Sequence, residues 1–260
     1  MNDLWKFRGF VLSSVRMEYA VRFSRSKIGA FWMVIYPLAQ VAIFALVLSK
    51  VIGSRLPASD SPYSYAIYLM AGQLAWTGFA ETVSRSLYMF INQGALLKKA
   101  SFPIFVLPVV EFIIGFLNSI IFFVVIVIIF AFLGHRPTWM VFLVPLLIVL
   151  TLFLAIGIGI VLGTLNVFLR GVGQLVPILL NFGFWLTPIV YVVDVLPVWL
   201  HSVLIWNPMY HVVVAFHDVL VFQSDPQWFE LSVVVGFAAM VMALAIRMLH
   251  KASPEMADVL

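Results

Sequence analysis

Polar residues in this chain are gathered into a few breaks between long apolar blocks, not spread along it. A hydrocarbon core ~30 Å thick is crossed by about 20 residues of helix. Five blocks stand out at that length, over 28–52, 104–133, 139–167, 172–193 and 229–248. A sixth, 65–87, is weaker because Gln73, Thr77, Glu81 and Ser84 interrupt it. The blocks are continuous and do not alternate in polarity, which predicts helices and not a barrel. The expected fold is all-α and integral to the membrane: six transmembrane helices in a single transmembrane domain over 1–260.

Two regions fall outside that pattern. Over 1–27, apolar residues recur every fourth position at Phe7, Val11, Val15, Tyr19 and Phe23, with Lys6, Ser13 and Arg16 roughly opposite. This predicts an amino-terminal interfacial helix on the inner leaflet, although Arg8, Glu18 and Arg22 intrude on its apolar side. Between the fifth and sixth spans, 194–228 is too apolar for an open loop, yet is broken by Pro197, Pro208 and Pro226. Pieces of that length predict outer re-entrant helices, not further spans.

Composition agrees with lipid as the solvent: 64% of residues are hydrophobic and 10% charged, and mean hydropathy is +1.12. Charge then orients the chain. Six basic residues (Lys6, Arg8, Arg16, Arg22, Arg25, Lys27) precede the first span, with no uninterrupted apolar core and no small-residue cleavage site. A removed signal peptide is therefore not expected, and the amino terminus is placed inside. With six spans, the inner segments carry 12 of the 15 Lys and Arg residues and both termini are cytoplasmic. The pI of about 9.4 follows from that topology and carries no argument for nucleic-acid binding. There is no cysteine, so disulfides and Cys-based metal sites are excluded.

Little reaction chemistry is visible. No phosphate-binding loop occurs; the nearest string, over 94–101 (GALLKKAS), lacks the second glycine and the preceding strand. There is no zinc-protease motif, and His211 and His217 sit six apart with no carboxylate–histidine cluster around them, so no metal site is expected. Glu81 and Glu111 are the intramembrane carboxylates, and neither has an obvious basic partner in sequence. Gly157, Gly159 and Gly163 lie on the fourth span, the last two spaced G-x-x-x-G, and small residues there admit a close neighbour within the subunit or across a dimer. Aromatics are dense: Trp32, Tyr36, Phe44, Tyr65, Tyr68, Trp76 and Trp185 fall on the spans. They fit either an interfacial belt or a conduit along which sugar rings slide over flat amphipathic faces.

Five segments carry a resemblance. They are 22–37 (RFSRSKIGAFWMVIYP), 69–79 (LMAGQLAWTGF), 92–103 (NQGALLKKASFP), 187–191 (TPIVY) and the pair Asn207 and Pro208. In that order they resemble the membrane subunits of type-2 ABC exporters, especially those moving O antigen, capsule or teichoic acid. Two positions depart: Gly171 follows Arg170 where the family commonly has Asp, and His217 stands where it commonly has Arg.

The resemblance implies a homodimer with two copies of a cytoplasmic ABC ATPase, in the bacterial inner membrane. That ATPase would hold ATP and Mg, and this chain would bind no cofactor. The segment 88–103 would couple to the ATPase through Asn92, Leu96, Leu97, Lys98, Lys99, Phe102 and Pro103. The spanning aromatics would line a channel on the first, second and fifth spans. Pro188, Tyr191, Trp199, Trp206, Asn207 and Pro208 would form an outer gate. The implied function is ATP-driven export of a lipid-linked polysaccharide, O antigen first, with no catalytic residues. Export of drugs or lipids by the same architecture is one alternative. A membrane-embedded glycosyl- or acyltransferase is another, although Asp194, Asp218 and Asp225 are scattered for a catalytic cluster. A proton-coupled transporter is the third.

Overall fold

The computed structural model describes residues 7–25, 31–52, 63–98, 102–193 and 196–259. Among them every regular element is a helix: α1 (Arg8–Arg25), α2 (Trp32–Ile52), α3 (Ser64–Asn92), α4 (Gly94–Leu97) and α5 (Val106–Phe132). A 3₁₀ turn (Trp139–Leu143) then enters α6 (Val144–Phe168), followed by α7 (Val172–Trp185), α8 (Val198–Leu204) and α9 (Pro208–His217). A single π turn (Asp218–Phe222) leads to α10 (Trp228–Val259). Val106–Phe132, Trp139–Phe168 and Trp228–Met256 are long and apolar enough to cross a membrane; Val34–Phe44, Val172–Trp185 and Pro208–Phe222 are shorter apolar stretches. The chain is a multi-pass integral membrane protein.

The predicted span with the weakest hydropathy is the one the others surround. Residues 67–76 of α3 are buried on every side, including Gln73, and Thr82 and Ser86 further along are fully buried. Lipid-facing hydropathy is not required of a helix that meets protein all round.

Close approach to α3 comes through glycines. A Cβ on Gly159 of α6 would lie 2.4 Å from the Ser86 Cβ, and one on Gly163 would lie 2.6 Å from the Ser86 carbonyl. On α5, a Cβ at Gly115 would lie 2.6 Å from Thr82 Oγ1; on α3 itself, one at Gly78 would meet Ser119 Oγ at 2.8 Å. The glycines at 159 and 163 are thus used within the subunit, seating α3, while Gly157 faces Val241 and Met242 of α10.

The two ends of the bundle differ. At the end predicted to face inward, Met89, Phe90, Leu107, Leu249 and Met256 share one apolar cluster with Leu97 and Phe102. Here α10 runs well past the predicted 229–248, for 32 residues, and its extra turns bury Leu249 and Met256. At the other end, α7 stops at Trp185, short of the predicted 193. Pro188 is the cause: it lacks an N–H and disfavours helix at Thr187.

The apolar row of the amino-terminal helix meets protein. Instead of presenting its apolar row to a leaflet alone, α1 packs Phe7, Phe10, Val11, Val15 and Tyr19 on Phe102, Val106, Val110 and Ile114. Its Tyr19 hydroxyl donates to Asn118 Oδ1 at 2.8 Å, far along α5. It therefore follows α5 lengthwise. Phe23 lies where side chains fall outside the described residues.

Gly159→Val should prevent α6 from seating on α3, because overpacking a tight contact costs about 1–3 kcal/mol or more. Detergent-solubilised Gly159→Val is expected to melt well below the wild type or fail to fold. Gly236→Ala, where nothing lies within 4 Å of an added Cβ, should melt as the wild type does.

Candidate functional site: a groove walled by three helices

α2, α3 and α7 enclose a groove of about 740 Å³. Trp32, Tyr36, Phe44, Trp76 and Trp185, singled out in sequence, all lie along it. Trp32 and Tyr36 are one turn apart on α2 and both are exposed, at 54% and 71%. Trp76 is buried as wall: its ring meets Phe184 edge-on at 6.0 Å and closes over Gly183, where a Cβ would come within 2.9 Å of it. Phe44 stacks on Phe184 at 6.1 Å and meets Trp185 at 6.4 Å. Aromatic edges therefore join all three walls.

Between the rings lie amides and hydroxyls to which sequence reasoning gave no role at the site. Gln73 donates to Gln40 Oε1 at 3.0 Å, tying α3 to α2, and Asn181, Thr77 and Ser84 also face the groove. Both α2 and α7 carry an internal proline, Pro37 and Pro177, on the groove lining. Pro177 cannot donate to the Gly173 carbonyl one turn back. The Tyr88 hydroxyl donates there instead, at 2.9 Å, so α3 holds α7 at its break.

Tyr65 and Tyr68 lie outside the groove. They are buried and hold the turn after α7. Tyr65 donates to the Val190 carbonyl at 2.7 Å; the Tyr68 hydroxyl lies 3.1 Å from the Pro188 carbonyl and 3.0 Å from that of Tyr191, and its one proton is shared between them. Tyr191 in turn donates to the Trp185 carbonyl at 3.0 Å. Asn207 caps α9 by accepting from the Met209 amide, with Pro208 in the first turn, and donates to Leu186 O at 3.1 Å and Thr187 Oγ1 at 3.0 Å. Pro188, Tyr191, Asn207 and Pro208 are thus one assembly. Trp199 and Trp206 stand apart from it, exposed at 69% and 88%.

The two departures fall at different depths. Gly171 opens α7 with free space around it. His217 is buried, stacked on the Tyr68 ring at 3.7 Å, and donates through Nε2 to the Tyr68 carbonyl at 3.1 Å. Nδ1 of His211 pairs with Glu230 of α10, while Nε2 donates to the Ile205 carbonyl at 2.9 Å. Burial first, then Glu230, push the nearby Asp218 carboxyl up to about 6. Among the described residues no group of three or more His, Cys, Asp or Glu could hold a metal.

At the opposite end, Asn92 and Lys98 are exposed on either side of α4, while Leu96, Leu97, Phe102 and Pro103 are half-buried. Lys99 lies outside the described residues. Phe102 receives Phe7 and Phe10 edge-on, at 5.9 and 5.1 Å. Above this segment Arg85 corrects an expectation, since Glu111 does have a basic partner. Arg85 Nε donates to Glu111 at 2.7 Å and Nη1 donates to Glu18 at 2.8 Å. Glu81 accepts from Asn118 at 2.8 Å. Glu18, Glu81, Arg85 and Glu111 bound a second cavity of about 420 Å³, which shares Glu81 and Ser84 with the groove. Glu18's intrusion on the apolar row of α1 was the available signal for this pairing.

The profile of the ABC-2 type transporter family matches residues 11–221, most of the chain. The chain belongs to the ABC-2 type transporter family. This ABC-2 chain is similar to two O-antigen export system permease proteins RfbA of Klebsiella pneumoniae. One is 27% identical over 204 residues, 78% of this chain and 76% of the relative. The other is 26% identical over 235 residues, 88% and 87% respectively. It is also similar to RfbA of Myxococcus xanthus, 25% identical over 191 residues, covering 74% and 71%.

In this ABC-2 chain Tyr68→Phe would strand buried carbonyls, each costing about 1–3 kcal/mol when unsatisfied. The variant should melt lower in detergent and be cleaved faster by protease over 186–193. Tyr36→Phe, at an exposed ring, should do neither.

Proposed function

We propose that this chain is the membrane subunit of an ATP-driven exporter that moves a lipid-linked polysaccharide, O antigen first, across the bacterial inner membrane. The observation that carries the reading is the groove: aromatic faces alternating with amides and hydroxyls, walled by the same three helices that the resemblance assigns to the channel. Flat aromatic faces accept the C–H faces of sugar rings, and amides exchange hydrogen bonds with hydroxyls, without fixing any one ring tightly. A polymer in transit needs that combination.

Two copies would face their grooves across a dimer axis, each crossing the membrane six times with both termini in the cytoplasm. α8 and α9 would be the re-entrant pair, and Pro188, Tyr191, Asn207 and Pro208 would act at the outer mouth. ATP and Mg would sit on two partner ATPase subunits, seated on 92–103. Leu96 and Leu97 would supply apolar contact there, and Lys98 and Lys99 the charge. An ATPase shifts the groove between closed and open only through contacts that differ between those states.

Tagged protein from native membranes should bring down an ATPase, and Lys98→Glu/Lys99→Glu should lose it or uncouple it; no copurifying ATPase under mild conditions would refute the reading. In the reconstituted complex, Trp185→Ala and Tyr36→Ala are expected to slow polymer export about ten-fold, the worth of one aromatic contact, with ATP hydrolysis retained. Equal export of drugs or lipids, with no effect on polymer, would move the reading to that cargo.

A further inference from the structure

We propose that Arg85 is the positioning residue that makes α1 and the hairpin α3–α4–α5 a single mechanical body, so that a push on 93–103 reaches the groove wall. The inference rests on the exporter reading and adds how the coupling segment would regulate the groove.

Arg85 lies about two turns before the end of α3. Its bond to Glu111, in the second turn of α5, closes the base of the hairpin that carries α4. Its bond to Glu18 takes in α1. A guanidinium offers Nε and Nη1 in a fixed plane, so both acceptors are held at a set angle; a lysine ammonium would impose no such angle. α1 has another fastening, Phe7 and Phe10 on Phe102, where the chain returns from the hairpin. Phe10 and Glu18 are about 12 Å apart along α1. Two attachments that far apart prevent α1 from swivelling on either one.

The body reaches the groove through α3. Glu81 stands one turn before Arg85 and Ser84 beside it, and both line the groove. Glu81 is bonded by Asn118, which accepts from Tyr19 of α1. α1 thus touches the groove wall by two polar routes, through Arg85 and through Asn118. A tilt of the hairpin carries α1 and this wall together, whereas apolar contact alone would let α1 slide.

The absence of cysteine permits a direct test. Spin labels at Arg16→Cys and Ala95→Cys, both exposed positions, report the distance from α1 to α4. In the complex with its ATPase in nanodiscs, the distance within one subunit should be narrow and unchanged by ATP. Glu18→Ala leaves the Arg85–Glu111 pair in place, so the fold is expected to survive. It should broaden the distribution and lower export about ten-fold while ATP hydrolysis stays within about two-fold, a coupling loss of ordinary size. Glu18→Gln keeps an acceptor oxygen and should recover part of the export. Arg85→Met should uncouple at least as strongly.

Unaltered distances and unaltered export per ATP in both Glu18→Ala and Arg85→Met would overturn the proposal, as would a wild-type distance that shifts with ATP. If the wild type neither holds an ATPase nor exports, the exporter reading fails on its own. The label distances in the lone chain then decide the Arg85 assignment: broadening in Glu18→Ala supports it, and an unbroadened distribution refutes it.

Discussion

The arrangement of this fold depends on which partners the long polar side chains of α3 meet. Hydrocarbon offers no partner to a bare carbonyl or charge, and each one left alone costs several kcal/mol. α3 nevertheless carries Tyr65, Tyr68, Gln73, Glu81, Arg85 and Tyr88. Between them they bond five neighbours: the turn at 188–191, α2, α5, α1 and the broken start of α7. The polar inventory of one helix therefore fixes where five other elements sit. The Arg85 ion pairs are only partly buried, so they constrain arrangement more than they stabilise.

The groove follows from the same economy. A wall that faced lipid would have to shed its amides; one that faces a water-filled or sugar-filled path keeps them. Gln40, Gln73 and Asn181 line the groove, where Gln73 and Gln40 bond each other. The prolines of α2 and α7 belong to the same logic. A proline break is tolerated in a membrane helix where another group takes over the freed carbonyl, as Tyr88 does for Gly173.

Much of this was legible in the chain, for reasons of length and period. Apolar runs near the thickness of a bilayer mark the three helices long and apolar enough to cross one, and residues one turn apart place Trp32 and Tyr36 on one face. What could not be read has a common cause: period reports exposure to lipid or to core, not the identity of a partner far along the chain. Tyr65 and Tyr68 look like Trp32 and Tyr36 in sequence. Only the fold brings the turn at 188–191 over them and makes them supports for that turn, outside the groove lining. Glu111 looked unpaired because Arg85 is 26 positions away. The Glu18 intrusion looked like a flaw in an amphipathic row, although such a flaw is what a helix with a specific docking partner must show. The end of α7 was placed too late for a simpler reason: hydropathy continues through 187–193 while Pro188 has already stopped the helix.

Two kinds of contact divide the molecule mechanically. Lipid tails are as apolar as leucine, so helices in a bilayer are not pressed together by the hydrophobic effect and rely on close packing and polar bonds. α3, α5, α6 and α10 meet through glycine holes filled by Ser86, Thr82, Ser119 and the flank of α10. Such contacts are bistable at best and cannot shear gradually without clashing. α2 and α7 join that block differently, through one amide pair, one tyrosine hydroxyl and aromatic edges. Those bonds can exchange partners or pivot at little cost in volume. A rigid block with a hinged shell is therefore built into the contact chemistry. The groove lies where the shell meets the block, so it can widen while the block stays packed.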